Sequence, residues 1–375
     1  MNCLSMNKRS HKTFRYFSVF LLFIGTPIYA APVISGVAGN TVDDSTITIT
    51  SSGTNFGIGP SSTEWLGGKT GPIESGTNNA IFKRTNWITD GNNPWPENLP
   101  VYSSSQAHSG AKSLYCNPNS SSWNSILDYR LPTPVSTTGK LFISQWVRIT
   151  PSGSGQWKMN RFTSKNTIVD GTNQLVLFSW SNGYGTQLCV DPTEVTYTGL
   201  NVSPISTTST WMRVDQYIQA GTSKGSYTIS KYVPGVSRQT QTVSSYPTHR
   251  SGGSWNYIIW QNYAGNGMSS AAIYIDDVYI SNGSQARVEI GEASTYSMCK
   301  HLEIQPVSAW NSSSITAKVN KGSFGASSTA YLFVIDSDGN ASSGYPIQFG
   351  SSVGTTPADT TPPARPSGIT VDVIP

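Results

Sequence analysis

Apolar and polar residues alternate over short runs along this chain, and almost nowhere do apolar residues recur at helical spacing. Such runs bury one face of a strand and expose the other. Clear examples are Thr46–Thr50, Leu141–Thr150, Gln156–Phe162, Gln174–Trp180 and Trp211–Ile218. Further runs are Trp255–Tyr263, Ile273–Ile280, Ser314–Val319 and Ala330–Ile335. Clusters of Gly, Ser, Asn, Thr and Pro separate them, the pattern of an all-β sandwich. Asp336-Ser337-Asp338-Gly339-Asn340 predicts a hairpin turn, because Asp-Gly accepts the positive φ such turns need. Charged residues are only 12% while Trp and Tyr number 11 and 18, which argues against disorder and against a coiled coil.

The two ends are set apart by composition. Lys8, Arg9, Lys12 and Arg15 precede the apolar run Phe17 to Ile24, and Pro27-Ile28-Tyr29-Ala30 supplies a small residue for cleavage. Residues 1–30 therefore read as a secretory signal peptide, with an apolar run too short to span a bilayer. Residues 351–375 read as a Pro/Thr-rich linker or tail. The formal charge of +4 resides in the signal: it holds four basic and no acidic residues, leaving 20 of each sign. A neutral exported chain has no global attraction for nucleic acid, and no later run predicts membrane insertion. The expected location is outside the cell, at its surface or in the periplasm. Cys116, Cys189 and Cys299 remain after cleavage, at spacings that suggest isolated buried thiols and no zinc motif.

Two families are suggested by short motifs. Pro32-Val33-Ile34-Ser35-Gly36-Val37, Thr46–Thr50 and Asn55-Phe56-Gly57 resemble the opening of an IPT/TIG immunoglobulin-like domain. The pieces that would complete it come some 230 residues later, as Arg287–Gly291, Trp310, Ser314–Val319 and a hairpin over Tyr331 to Phe349. The resemblance implies one discontinuous domain, 31–57 plus 286–350, because the 27 residues of the first part cannot build a sandwich alone. Two separate flanking modules would instead explain the shared spacing of Ile47…Phe56-Gly57 and Ile315…Phe324-Gly325. Between them, 58–285 carries Ala107-His108-Ser109-Gly110-Ala111-Lys112-Ser113-Leu114-Tyr115 and ends on Ile273-Tyr274-Ile275-Asp276-Asp277-Val278-Tyr279-Ile280. These two strands resemble those of concanavalin A-like lectins, glucanases and polysaccharide lyases. The expected fold class is all-β: a jelly-roll sandwich plus an immunoglobulin-like sandwich.

Chemistry is sparser than fold. The chain has seven glutamates and none forms the E-x-D-x-x-E strand of the related glucanases, which disfavours paired-carboxylate hydrolysis. The strand motifs R-x-E-x-R, Q-I-H and Y-F-K-x-G-x-Y of jelly-roll alginate lyases are also missing. Alternation sends Trp146, Arg148, Arg213 and Tyr217 to the faces opposite the core. It does the same for Lys158 and Asn160, and it groups Trp255, Tyr257, Gln261 and Tyr263 on one face. If those strands share one concave sheet, aromatics, amides and three cations line a groove suited to a polysaccharide, in particular an acidic one. A lyase in the same groove would use Tyr257, Tyr217 or His249 as base, with Arg148, Lys158 or Gln261 neutralising a uronate. Surface association or adhesion is the third expectation. No motif requires a cofactor. The jelly-roll resemblance implies a structural Ca²⁺ near Asp276 and Asp277, which alternation would send one to each face.

Overall fold

The computed structural model describes residues 30–52, 56–88, 99–118, 126–164, 174–180, 185–191, 197–200, 202, 203, 205, 209–249, 253–265, 267–326, 328–350, 352 and 353. Residues 1–29 of the expected signal peptide 1–30, and all of the expected tail 351–375 but residues 352 and 353, lie outside the described residues. The architecture is all-β, with four antiparallel sheets stacked as two sandwiches. A single 3₁₀ turn, Tyr296–Met298, is the only helical element among the described residues. No helix there is long and apolar enough to cross a membrane.

The larger sandwich is a jelly roll. Its seven-stranded sheet runs Tyr197–Leu200, Gly185–Asp191, Gln174–Trp180, Gln156–Thr163, Trp255–Gly265, Leu127–Val135 and Trp87–Ile88. Its eight-stranded sheet runs Gln239–Tyr246, Gly225–Tyr232, Met212–Gln219, Lys140–Gly153, Met268–Asn282, Ser113–Cys116 and Val101–Ser103. Ser62–Trp65 pairs along the far end of Met268–Asn282. Inward residues from both sheets, among them Ile143, Val147, Trp157, Phe162, Met212, Val214, Trp255, Trp260 and Ile273, make one core.

That core holds a polar chain. Asn160 Oδ1 accepts from Gln145 Nε2 at 3.0 Å and Gln216 Nε2 at 2.8 Å. Gln145 Oε1 accepts the Trp260 indole N–H, and Gln216 Oε1 accepts the Tyr227 hydroxyl at 2.8 Å. Five side chains from both sheets are thus linked between layers, with Asn160 Nδ2 left unpartnered, which fixes register in a way apolar packing alone does not.

The smaller sandwich is immunoglobulin-like. Val307–Trp310, Ser314–Lys318, Thr46–Thr50, Gly36–Asn40 and Ser352–Val353 form five strands in that order. Leu302–Gln305, Arg287–Gly291, Thr329–Ile335 and Tyr345–Gln348 form the other four. Thr46–Thr50 pairs with Ser314–Lys318, and Val37, Ile47, Ile49 and Phe56 share a core with Val288, Ile315, Leu332 and Ile347. Asp336–Asn340 turns the Thr329–Ile335 hairpin, with Gly339 at φ +92° and Asp336 Oδ1 capping the N–H groups of Asp338 and Asn340.

The four-stranded sheet packs on the outer face of the eight-stranded one. Phe142, Tyr217 and Tyr279 meet Ile304 there. Arg213, fully buried, reaches Asp215 at 2.8 and 3.0 Å, Glu289 at 2.9 and 3.2 Å, and the Leu302 carbonyl at 3.0 Å. Arg287 donates to Glu289 from the other side. Burial alone would raise the Glu289 carboxyl, but Arg213 and Arg287 outweigh it and hold the carboxyl down at about 2.

Candidate carbohydrate-facing sheet and the His108 cluster

The strands that carry the expected groove belong to different sheets. Trp146, Arg148, Arg213 and Tyr217 stand on the eight-stranded sheet, and Lys158, Asn160, Tyr257 and Gln261 on the seven-stranded one. The three cations therefore do not line one groove. Alternation along Lys140–Gly153 and Met212–Gln219 runs as the sequence suggests, but the face it defines is covered by the second sandwich. Tyr217 and Arg213 are buried in that interface, away from the seven-stranded sheet. Trp146 is also buried, its ring stacked on His108 at 3.7 Å. Arg148 is half-buried over the Tyr274 ring. His249 is a buried loop residue packed on Trp255 at 4.6 Å, which turns it into the core.

Two bulges change the faces on the seven-stranded sheet. The register between Gln156–Thr163 and Gln174–Trp180 shifts between Leu177 and Phe178, so Lys158 pairs with Phe178 and Asn160 with Leu177. Met159 is the extra residue, and Asn160 points into the sandwich while Lys158 points out. A second shift between Trp255 and Tyr257 sends Trp255 inward and leaves Tyr257 outward. The side chain of Gln261 lies outside the described residues.

The outward face reads in three rows. In one, Lys158 Nζ sits 5.3 Å from the centroid of Phe178 and 5.2 Å from that of Tyr263. The next row runs Cys189, Val176, Arg161, Ile259 and Asp128 across five strands. The third runs Gln174, Thr163, Tyr257 and Arg130. Arg161 donates to Gln174 Oε1, tying two rows together. Rows lie about 7 Å apart and strands about 4.8 Å, so Asp128 and Arg161 flank Ile259 at a separation of about 10 Å. Tyr257 and Tyr263 are half-buried and Arg130 is exposed, which gives the face an accessible border.

Asp128 is the residue that sequence reading passed over. It is 4% exposed, its Oδ1 has no hydrogen-bond partner, and burial pushes its carboxyl up to about 8. The signal was present in the alternation of Leu127, Tyr129 and Leu131, all in the core, which sends Asp128 outward. Arg161 was hidden by the Met159 bulge, since uninterrupted alternation places it with the core residues.

A second cluster forms where the sandwiches meet. Of the Ala107–Tyr115 motif only the residues from Ser113 onward belong to a strand, Ser113–Cys116, and His108 and Ser109 lie in the turn before it. The strand Met268–Asn282 bulges between Asp276 and Tyr279, with Asp277 in the left-handed region at φ +46°. The bulge turns both aspartates toward that turn, where simple alternation would separate them. Asp276 Oδ2 accepts the backbone N–H groups of His108 at 2.9 Å and Ser109 at 3.2 Å, and its Oδ1 accepts that of Asp277 at 2.8 Å. Asp277 Oδ1 accepts the Ser109 hydroxyl at 2.7 Å and the Gly68 N–H at 2.8 Å, while Oδ2 meets His108 Nδ1 at 2.7 Å. Every oxygen of the pair already faces a donor. Gly67 is required by the approach: a Cβ there would lie 2.0 Å from Asp277 Oδ1.

Comparison with known proteins gives weak likenesses. No family model and no curated protein sequence matches the chain. An alginate lyase of Aplysia kurodai superposes with a TM-score of 0.37 at 14% identity, over 48% of this chain and 86% of its own. Lectin II from Ulex europaeus gives 0.35 at 9% identity, over 60% and 99%. A cellulose-induced protein, Cip1, gives 0.35 at 12%, over 53% and 93%. At such values the chemistry must be argued from this chain's own residues.

Proposed function

We propose that this chain is an exported carbohydrate-binding protein whose seven-stranded sheet receives an acidic polysaccharide. The observation that carries the reading is the outward face itself. It sets Lys158 beside the Phe178 and Tyr263 rings, with half-buried Tyr257 and Tyr263 and exposed Arg130 at the accessible border, while Arg161 and Gln174, one row in, are buried. Aromatic faces cover sugar C–H surface, amides read hydroxyls, and a cation on that face favours a carboxylate. Export rests on the composition of residues 1–30.

Affinity electrophoresis against uronic-acid polymers and neutral glucans tests it. Lys158→Ala is expected to weaken uronate retention about tenfold, the equivalent of about 1.4 kcal/mol. Retention should also fall with salt. Equal retention on neutral and acidic polymers would remove the acidic specificity. No retention on any glycan would leave an adhesive or structural protein.

One observation favours eliminative cleavage as a second reading. Tyr257 and the protonated Asp128 lie on adjacent rows with Arg161 across Ile259, a set that holds a proton donor, a hydroxyl and a cation. In elimination the Tyr257 oxygen, acting as its phenolate, would take the proton beside the uronate carboxylate while Arg161 neutralises that carboxylate. Asp128 would protonate the leaving oxygen. Appearance of the ultraviolet absorbance of an unsaturated uronate on incubation, lost in Tyr257→Phe, supports this reading; binding without absorbance refutes it for those polymers.

A further inference from the structure

The turn carrying His108 faces a cavity of about 480 Å³, lined by Asp43, Lys69, Glu74, His108 and Lys321 among others. Four features around His108 go unused by the carbohydrate-facing sheet. The His108 side chain is 3% exposed and its Nε2 has no hydrogen-bond partner. Glu303, from the second sandwich, is fully buried and its Oε2 likewise has none. His108 Nε2 and Glu303 Oε1 stand 3.5 Å apart. His301 Nε2 lies 2.7 Å from the same Oε1 and 3.0 Å from the Ser323 hydroxyl, its ring stacked on Phe324 at 3.9 Å.

We propose that His108, Glu303 and His301 bind a transition-metal dication of the zinc type at the junction of the two sandwiches. Zinc takes imidazole nitrogen and carboxylate oxygen at about 2.0 to 2.2 Å, and a tetrahedron of that size has edges of about 3.4 Å. The 3.5 Å between Nε2 and Oε1 matches such an edge. Histidine ligands commonly donate their other ring N–H to a carboxylate, which fixes tautomer and ring orientation. Asp277 does this for His108 Nδ1 and is itself held by Ser109 and Gly68. Asp277 is thus a positioning residue, and its left-handed backbone is local strain retained where that carboxylate is aimed. His301 shares Glu303 Oε1 with the cluster, so it must open that contact by about 0.7 Å and swing toward His108 to complete the set, and its side chain is 17% exposed. Gly322, at φ +52°, keeps the entrance clear, since a Cβ there would sit 2.2 Å from the Glu303 carboxyl carbon. The fourth position falls to water from the cavity.

Titrating the chelator-stripped full chain with Co²⁺ tests the site directly. The expected result is one equivalent bound, with the strong visible absorption of four-coordinate cobalt, displaced by Zn²⁺. His108→Gln and Glu303→Gln should abolish the band, and Asp277→Asn should weaken affinity 10- to 100-fold while leaving the band's position unchanged. His301→Ala changes the least buried ligand and so keeps the test open should the other variants fold poorly. It should lose the four-coordinate spectrum and the rise in Tm that Zn²⁺ gives the parent chain. No saturable binding, a weak six-coordinate spectrum, or unchanged binding in His301→Ala and His108→Gln overturns the proposal. In that event the cluster is a buried ion pair holding a proton between Asp277 and Glu303.

Discussion

Replacing Asp128 by Asn isolates the cost of keeping a carboxyl on the outward face of the seven-stranded sheet. Asp128 is buried opposite Ile259, and its pKa rises from an ordinary 3.8 to about 8 through burial alone. Below about pH 4 the folded and unfolded chains are both protonated and nothing is lost. Between about 4 and 8 the unfolded chain releases the proton while the folded chain keeps it, so stability falls by about 1.4 kcal/mol per pH unit. Above about 8 both are ionised and the loss levels off. Between pH 5 and 7 the group therefore removes about 3 kcal/mol. Asparagine has the same shape and does not titrate. Urea unfolding of parent and Asp128→Asn at pH 5, 6 and 7 reads this as a difference in which all other titrations cancel. The variant's advantage should grow by about 2 to 3 kcal/mol across that range. An advantage that is flat with pH would mean that Asp128 is ionised and solvated, and the proton-donor role in elimination would fall with it.

Three further outcomes follow from the same geometry. Arg213→Met should cost about 3 to 5 kcal/mol, because it strands Glu289 and Asp215 in the interface, while Arg148→Met, over Tyr274, should cost about 1 kcal/mol or less in thermal or urea unfolding. Equal losses would contradict the assignment of Arg213 to the interface. The Glu289 carboxyl, held at about 2 against an ordinary 4.5, contributes stability that is full above about pH 4.5 and lost as pH falls toward 2. Glu289→Gln should be less stable than the parent at pH 6, by a margin that shrinks in acid; a margin constant with pH refutes the pairing. Asn160→Ala orphans the amides of Gln145 and Gln216 and should cost about 2 to 4 kcal/mol in urea, with polysaccharide binding intact once the chain is folded. A loss of binding without a loss of stability would place Asn160 on the outside after all.

What was legible in the sequence is what obeys a period of two. Thr46–Thr50 and Gln174–Trp180 have the boundaries that alternation gives, and the core and outer faces of Leu141–Ile149 divide as the pattern divides them. Alternation could not say which sheet a strand joins or what lies over its outer face. Arg148 and Lys158 look equivalent on paper, yet one sits on the eight-stranded sheet and the other across the sandwich. Arg213 looked like a solvent-facing cation because its neighbours Met212 and Val214 are core. Its partners Glu289 and Leu302 lie more than 70 residues away in sequence, beyond any local pattern.

The remaining misreadings share one cause, and it falls where the chemistry is. A register shift breaks the two-residue period, so the faces beyond it need not follow from the pattern before it. At Met159 the shift takes Asn160 into the core and turns Arg161 out beside Gln174. Between Trp255 and Tyr257 it separates an interior ring from an exterior one. At Asp277 it brings two carboxylates to one side, where both bind the His108 turn. A regular sheet would have left His108 Nδ1 without its partner and Arg161 inside an apolar core, and neither is tolerable without compensation. The bulges are therefore what allow polar side chains into otherwise apolar strands. They also explain why the two candidate sites lie on opposite sheets: each site grew at a local break in pairing, and the unbroken strands between them carry the core.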